Sequence, residues 1–97
     1  MRLAITRSGF YNADLYCADT RSAKKTLREK NISLIAIDYY LVGKSNGCEL
    51  IDWAAKNAVL PDFIVVIERD RDKRTLLSNR LRKIGYRSGD KTTFFKH

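Results

Sequence analysis

The sequence has few of the residues that carry metal, disulfide or membrane chemistry: one histidine, two cysteines, one proline and no long apolar run. Its longest apolar run, Phe63–Ile67, is far below the ~18 residues that a membrane-spanning helix needs. The segment Met1–Thr6 carries one basic residue but too short an apolar stretch for a signal peptide. These absences predict a cytoplasmic protein that does not contact a membrane.

The two cysteines, Cys17 and Cys48, lie 31 positions apart with no cysteine or histidine close by. That spacing is neither a zinc motif nor a disulfide framework, and it predicts two free, buried thiols and no metal. The histidine is His97, so histidine-based acid, base or phosphate chemistry is excluded unless the tail folds back. The sequence also lacks a Gly-rich phosphate loop, a GxSxG motif and a recognisable nucleophile–base pair. It therefore favours a protein without catalytic residues or cofactors, although enzyme activity stays open.

The 97 residues suffice for one small domain, 1–97, and 44% of them are apolar, which favours a folded chain. Short apolar runs predict strands, and apolar residues three or four positions apart predict helices. The predicted strands are Leu3–Thr6, Asp14–Ala18, Ile32–Ile37 and Phe63–Ile67. The predicted helices run from an N-cap at Thr20 to about Lys30, from about Asn46 to Asn57 and from about Asp70 to Ile84. The tail 88–97 is either loose or adds an edge strand at Thr92–Phe95.

The helix periodicity also predicts which side chains face inward. These are Ala23, Leu27, Leu50, Ile51, Trp53, Ala54, Leu76, Leu77, Leu81 and Ile84. The strands Ile32–Ile37 and Phe63–Ile67 are apolar almost throughout, as is typical of strands buried on both faces. Alternating strands and helices then predict a three-layer α/β fold with a short parallel sheet, right-handed crossovers and strand order 2-1-3-4. Since functional groups gather at the carboxyl ends of such strands, Thr6, Asp38 and Glu68 should share one rim.

The order of elements around Asp38, an apolar strand followed by a glycine-containing loop and a helix, is similar to the phosphoacceptor strand of response-regulator receivers. Over Ile32–Tyr86 the chain more closely resembles a compact receiver-like family, the cyclic-phosphate processing receivers. In that family the third strand ends in Ser-Leu-Asp-His-Asp-Leu-Gly, and Thr-Gly-Tyr opens a helix that carries a Trp. The fourth strand ends in His-Ser-Ala-Asn before Gly-Arg-x-x-Met. The features in register here are Asn46 with Gly47, Trp53, Arg74 with Leu77, and Gly85 with Tyr86. The resemblance implies a receiver (flavodoxin-like) architecture.

The positions that carry chemistry in that family differ here. The acidic pair of the first strand is replaced by Thr6 and Arg7, the Asp-His-Asp by Asp38, Tyr39 and Tyr40, and the His-Ser-Ala-Asn by Ile67, Glu68, Arg69 and Asp70. Because Mg²⁺ needs several hard oxygen ligands, Asp38 alone does not suffice for a metal site. Asp38 is then either a vestigial phosphoacceptor or a strand-end residue that pairs with Arg7 or caps the loop.

The tyrosines and acids beside Asp38 also have two interpretations. Tyr39 and Tyr40 either stack a nucleobase or divide, one in the core and one at the surface. Glu68, Asp70 and Asp72 alternate with basic residues, which favours a solvated helix start over metal ligands.

The net charge of +8 is unevenly distributed along the chain. Met1–Glu68 has nine basic and eight acidic residues, whereas Arg69–His97 has ten basic and three acidic residues, a net of +7. A basic helix face with interleaved aromatics binds phosphates or an acidic protein surface, unless it serves solubility alone. The predicted binding residues are Arg71, Lys73, Arg74, Arg80, Arg82, Lys83 and Arg87.

We therefore predict a non-catalytic, receiver-like regulatory module that engages an acidic protein surface through its basic C-terminal segment, and a homodimer stays open. The resemblance also implies a phage protein that modulates its host, because small stand-alone members of that family are common in phage genomes. Two alternatives remain. One is sequence-independent nucleic-acid binding, supported by the charge. The other is a cyclic-phosphate processing enzyme, as the family name implies.

Overall fold

The structure, a computed structural model, describes residues 1–9, 11–90 and 92–96. The elements run in the order β1 (Arg2–Ile5), β2 (Leu15–Cys17), α1 (Thr20–Glu29), β3 (Leu34–Ile37), α2 (Gly47–Lys56), β4 (Phe63–Val66), α3 (Arg71–Lys83), β5 (Arg87–Ser88) and β6 (Thr93–Phe95). His97, on which the argument against histidine chemistry rests, lies outside the described residues. Within them, no helix is long and apolar enough to cross a membrane.

The strands form one sheet in the order β2-β1-β3-β4-β6-β5. The first four are parallel, and β6 runs antiparallel to both β4 and β5. The predictions of a mixed α/β class, of a mainly parallel sheet and of β3 beside β4 are confirmed. The tail does not form the edge, because β6 pairs on both sides and β5 lies outermost. The carbonyl of Asp62 and the amide of Lys96, 2.9 Å apart, extend the β4–β6 pairing.

The three helices contact one another in series and pack on one face of the sheet. That face carries the core side chains of the central strands, among them Leu3, Ile35 and Ile64. On the other face, the connection between β1 and β2 passes over Tyr16, whose side chain points away from the core. The Tyr16 hydroxyl donates to the Tyr11 carbonyl at 2.5 Å and accepts from the Ala13 amide at 3.0 Å. The described helices therefore form one layer, and residues 6–9 and 11–14 of the β1–β2 connection lie where the second helix layer of the predicted three-layer fold would stand.

Side-chain caps set where the helices begin. Asp19, not Thr20, is the N-cap of α1, because Asp19 is extended and accepts from the Ser22 amide at 2.8 Å. Asn46 caps α2 by accepting from the Glu49 amide, and Asp70 caps α3 by accepting from two amides of its first turn. Gly85 follows α3 with a φ of +106°, a left-handed conformation that glycine adopts without strain.

The predicted core is largely confirmed, with two exceptions. Leu76 is 45% exposed, because α3 turns Leu77 and Leu81 inward and leaves Leu76 on its outer side. Trp53 is half-buried beneath cationic side chains of α1, rather than enclosed by the core. Cys17 and Cys48 are free and buried, as predicted.

Candidate functional site

The carboxyl ends of β1, β3 and β4 meet at a cleft of about 360 Å³. The residues that line it are Arg7, Ser8, Asp38, Tyr40, Ile67, Glu68 and Arg69. The predicted rim is thereby present, since Thr6 contacts Asp38 and both strand-end carboxylates border the cleft.

Asp38 is held by a hydroxyl rather than by an arginine. The Thr6 hydroxyl donates to the Asp38 carboxylate in a short hydrogen bond and accepts from the Ser8 amide at 3.1 Å. Of the interpretations of Asp38, an ion pair with Arg7 is not formed, because the Arg7 guanidinium lies over the Tyr40 ring, 5.8 Å from its centre. Burial raises the pKa of the Asp38 carboxyl, and the charge of Glu68 acts in the same direction. The Thr6 hydrogen bond and the Arg7 charge oppose this rise only in part.

Glu68 is buried, and backbone amides occupy both of its carboxylate oxygens. Oε1 accepts from the Tyr39 amide at 2.9 Å and the Tyr40 amide at 3.3 Å, while Oε2 accepts from the Asp70 amide at 3.0 Å. The prediction of a solvated Glu68 is therefore wrong. This carboxylate joins the loop after β3 to the loop after β4. Within the described residues, no group of three or more His, Cys, Asp or Glu side chains could hold a metal ion.

The two tyrosines divide in the way that the second interpretation describes. Tyr39 packs against the core, Tyr40 is 40% exposed, and their rings meet edge to face with centroids 5.2 Å apart. The Lys73 ammonium lies 4.9 Å from the centre of the Tyr39 ring. Because Arg7 and Lys73 occupy positions over the rings, the pair does not present an open stacking platform in this conformation.

We expect no stable phosphorylation of Asp38. Its carboxylate is engaged by Thr6, and Glu68, the other carboxylate among the described residues that line the cleft, is engaged by three amides, so these residues offer too few oxygen ligands for Mg²⁺. Incubation with acetyl phosphate and Mg²⁺, followed by intact-mass measurement, should leave the mass unchanged. A stoichiometric phosphate adduct that Asp38→Asn abolishes would contradict this expectation.

The raised pKa of Asp38 also predicts how stability depends on pH. The folded state holds this proton more tightly than the unfolded chain, so the stability that protonation contributes is present at low pH and lost as the pH rises through the folded-state pKa. Asp38→Asn removes the charge and keeps an acceptor for Thr6. Its stability relative to the parent should increase between roughly pH 3 and pH 7 in denaturant titrations. A constant difference over that range would show that ionisation of Asp38 does not change the free energy of unfolding.

A second cavity, which we call the α3 groove, runs along α3 and has a volume of about 420 Å³. Its lining residues are Arg71, Arg74, Thr75, Ser78, Asn79 and Arg82. The groove brings together three of the seven predicted binding residues. Ser78 and Thr75 donate back to the carbonyls four residues earlier, and the Arg82 guanidinium lies 5.9 Å from the centre of the Phe94 ring.

The other predicted binding residues lie elsewhere. Lys73 covers the Tyr39 ring, and Arg80 forms an ion pair with Asp52 of α2. Lys83 is exposed beyond the groove, and Arg87 belongs to the outermost strand. The basic segment of the sequence is therefore spread over several surfaces, because a helix and a strand distribute their side chains around different axes.

A second basic cavity lies on α1, where the net charge of the chain segments gave no indication of it. This α1 groove has a volume of about 480 Å³ and is lined by Arg21, Ser22, Lys24, Lys25 and Arg28. Lys24 and Arg28 also lie 5.3 Å and 5.0 Å from the centre of the Trp53 ring. Acidic residues elsewhere in the first 68 positions cancel this charge in a sum, although the four basic residues on one ten-residue helix were a visible signal.

The helix between the two grooves, α2, carries acidic side chains at its surface. α2 exposes Glu49 and Asp52 at its outer surface.

A scan against protein-family models, a search of curated proteins and a search of solved structures each returned no match.

Proposed function

We propose that this protein is a non-catalytic binding module whose α3 groove holds an acidic segment of a partner protein. The observation that carries the proposal is the convergence of Arg71, Arg74 and Arg82 on one groove that hydroxyl and amide side chains also line. Arginine presents a planar set of donors that matches a carboxylate in a two-point contact. From Arg71 to Arg82 the helix rises by roughly 16 Å, enough for several acidic side chains of one short segment.

The surface of α2 favours a protein partner over nucleic acid. Between the α1 and α3 grooves it exposes Glu49 and an Asp52 whose charge is paired with Arg80, so a continuous polyanion that spanned both grooves would pass over the Glu49 carboxylate. A short acidic segment needs only one groove. Nucleic-acid binding is the second candidate, and the observation in its favour is the α1 groove with its four basic side chains.

The receiver relationship forms part of the same proposal. Its support is the parallel order β2-β1-β3-β4 and the position of Asp38 at the carboxyl end of the central strand β3. A cyclic-phosphate processing activity has less support, since the carboxylates at that rim are engaged by Thr6 and by backbone amides. We infer a receiver-like scaffold that binds rather than one that transfers phosphate.

A charge-matched pair of variants tests the proposal. Arg71→Gln with Arg82→Gln removes two exposed charges from the α3 groove, and Arg21→Gln with Lys25→Gln removes two from the α1 groove. The probe is a fluorescent twelve-residue peptide of Glu, Asp and Ser, measured by anisotropy at several salt concentrations. We expect the first pair to weaken binding at least tenfold and to flatten the salt dependence, and the second to change affinity less than twofold.

The controls separate the two candidates. Both pairs should keep the parent stability to within ~0.5 kcal/mol, because exposed substitutions seldom cost more. Equal losses for both pairs, together with tighter binding of a DNA duplex than of the peptide, would favour nucleic acid. Unchanged peptide binding in the α3 pair would show that the groove is only a solvated surface.

A further inference from the structure

The sheet face opposite the helices carries an apolar row with a basic residue at each end. In register across the strands, this row consists of Arg2, Leu34, Phe63, Phe95 and Arg87. Phe63 is 50% exposed, and Leu34 and Phe95 are partly exposed. In the neighbouring row, Val65 and Thr93 are partly exposed as well. No described helix covers this part of the sheet, since all three helices lie on the other face.

The dimensions of the row suit one helix. Arg2 and Arg87 are separated by four strand spacings of about 4.8 Å each, or roughly 19 Å between their backbones. An α-helix with its side chains is about 10–12 Å across. A helix laid along β4 and β6 would therefore cover the apolar middle of the row, with Arg2 on one flank and Arg87 on the other. Both arginines are exposed and able to turn toward it.

We propose that this face docks an amphipathic helix of a partner protein, with an apolar stripe against Phe63 and acidic residues on both flanks that reach Arg2 and Arg87. The physical reason is that the apolar face of a sheet in an α/β domain is normally covered by a helical layer, which is missing over β4 and β6. Arg87 at one end, and Arg2 beside the Asp14 carboxylate at the other, set the charge of the partner, with the stronger preference for acidic residues at the Arg87 flank. This surface lies on the opposite side of the sheet from the α3 groove, and the proposal does not depend on the function assigned to that groove.

A second copy of the chain fits the face less well. Any two-fold axis that lays the row on itself brings Arg2 against either Arg2 or Arg87 of the other copy. Like charges then meet at both ends of the contact. A single-stranded nucleic acid would stack on Phe63 and Phe95 but would leave the aliphatic Leu34 and Val65 without an apolar partner.

Two matched peptides and three variants test the docking face. The probe is an 18-residue helical peptide with a leucine stripe flanked on both sides by glutamate, and its partner peptide carries lysine at the glutamate positions. We expect the glutamate peptide to bind at least tenfold more tightly than the lysine peptide. Phe63→Ser and Arg87→Glu should each weaken its binding at least tenfold in an Arg71→Gln, Arg82→Gln background, which weakens the α3 groove as a second site for acidic peptides.

Other outcomes overturn the proposal. If Arg71→Gln with Arg82→Gln abolishes binding and Arg87→Glu does not, the peptide occupies the α3 groove. If sedimentation shows a parent dimer that Phe63→Ser dissociates, a second copy covers the face. If an oligonucleotide binds more tightly than the peptide and depends on Phe63, the face binds nucleic acid. Absence of peptide binding at millimolar concentration also refutes it. Should Phe63→Ser fail to fold by circular dichroism, Arg87→Glu, at an exposed position of the outermost strand, decides the question.

Discussion

Replacement of Glu68 with alanine should destabilise the protein by about 3 kcal/mol, because it leaves three backbone amides without an acceptor in a buried site. Those amides belong to Tyr39, Tyr40 and Asp70, and Glu68 itself is 9% exposed. Hydrogen bonds to a charged acceptor contribute roughly 1.5–3 kcal/mol each, and the three share one side chain, so their effects do not add fully. For a chain of this size the loss corresponds to a fall in Tm of more than about 10 °C.

A matched substitution and amide hydrogen-exchange measurements make this test specific to Glu68. Glu29→Ala removes the same side chain from the exposed end of α1 and should change stability by less than ~0.5 kcal/mol. Glu68→Gln keeps one acceptor oxygen and should fall between the two alanine variants. In Glu68→Ala, the amides of Tyr39 and Asp70 should lose hydrogen-exchange protection first. Equal stabilities of Glu68→Ala and Glu29→Ala would show that the carboxylate does not hold the two loops together.

Gly47→Ala should also be strongly destabilising, with an expected loss of about 2–3 kcal/mol. A Cβ at Gly47 would lie 2.3 Å from the Asp38 carbonyl oxygen and 3.1 Å from Leu77 Cδ2. The nearer atom is backbone and cannot rotate away, so either β3 or the start of α2 must shift, a form of overpacking that costs roughly 1–3 kcal/mol. The Gly47 amide also donates to the Tyr39 carbonyl at 2.8 Å, and a shift would weaken that bond.

Gly89→Ala is the matched control for Gly47→Ala. No atom lies within 4 Å of a Cβ at Gly89, and its φ is not in the left-handed region, so the change should be neutral or stabilising by up to ~1 kcal/mol. Denaturant titrations of the three proteins compare the effects directly. If Gly47→Ala is as stable as Gly89→Ala, the close approach of α2 to the end of β3 does not constrain the fold.

Much of the sheet follows from local pattern. The strands β3 and β4 are apolar on both faces and are separated by one helix, and such runs become parallel neighbours because both faces need cover and the crossover is right-handed. The bounds of α2 were equally predictable, since Asn46 offers a side-chain acceptor to the first turn and Asn57 follows the last. The rim position of Asp38 follows from where its strand ends.

The candidate site was less predictable, because its contacts join residues far apart in the chain. Asp38 and Arg7 carry opposite charges, which suggested an ion pair, yet the hydroxyl of the shorter Thr6 side chain donates a hydrogen bond to the carboxylate instead. Leu76 continued an apolar helical pattern, but the angle at which α3 meets the sheet turns it to solvent. The net charge of Arg69–His97 was likewise a property of one chain segment. A partner contacts a surface, and the basic residues of this segment lie on several surfaces.

By itself, then, the sequence determined the class of fold, the central strands and the position of the rim, because hydrophobic periodicity and helix caps act over a few residues. Only the tertiary structure decided that Glu68 is buried and bonded to amides 28 and 29 positions away. It also decided that β6 lies inside the sheet and that no helix of the described residues covers one face of β4 and β6. These features depend on which elements meet in space, and periodicity along the chain carries no information about that.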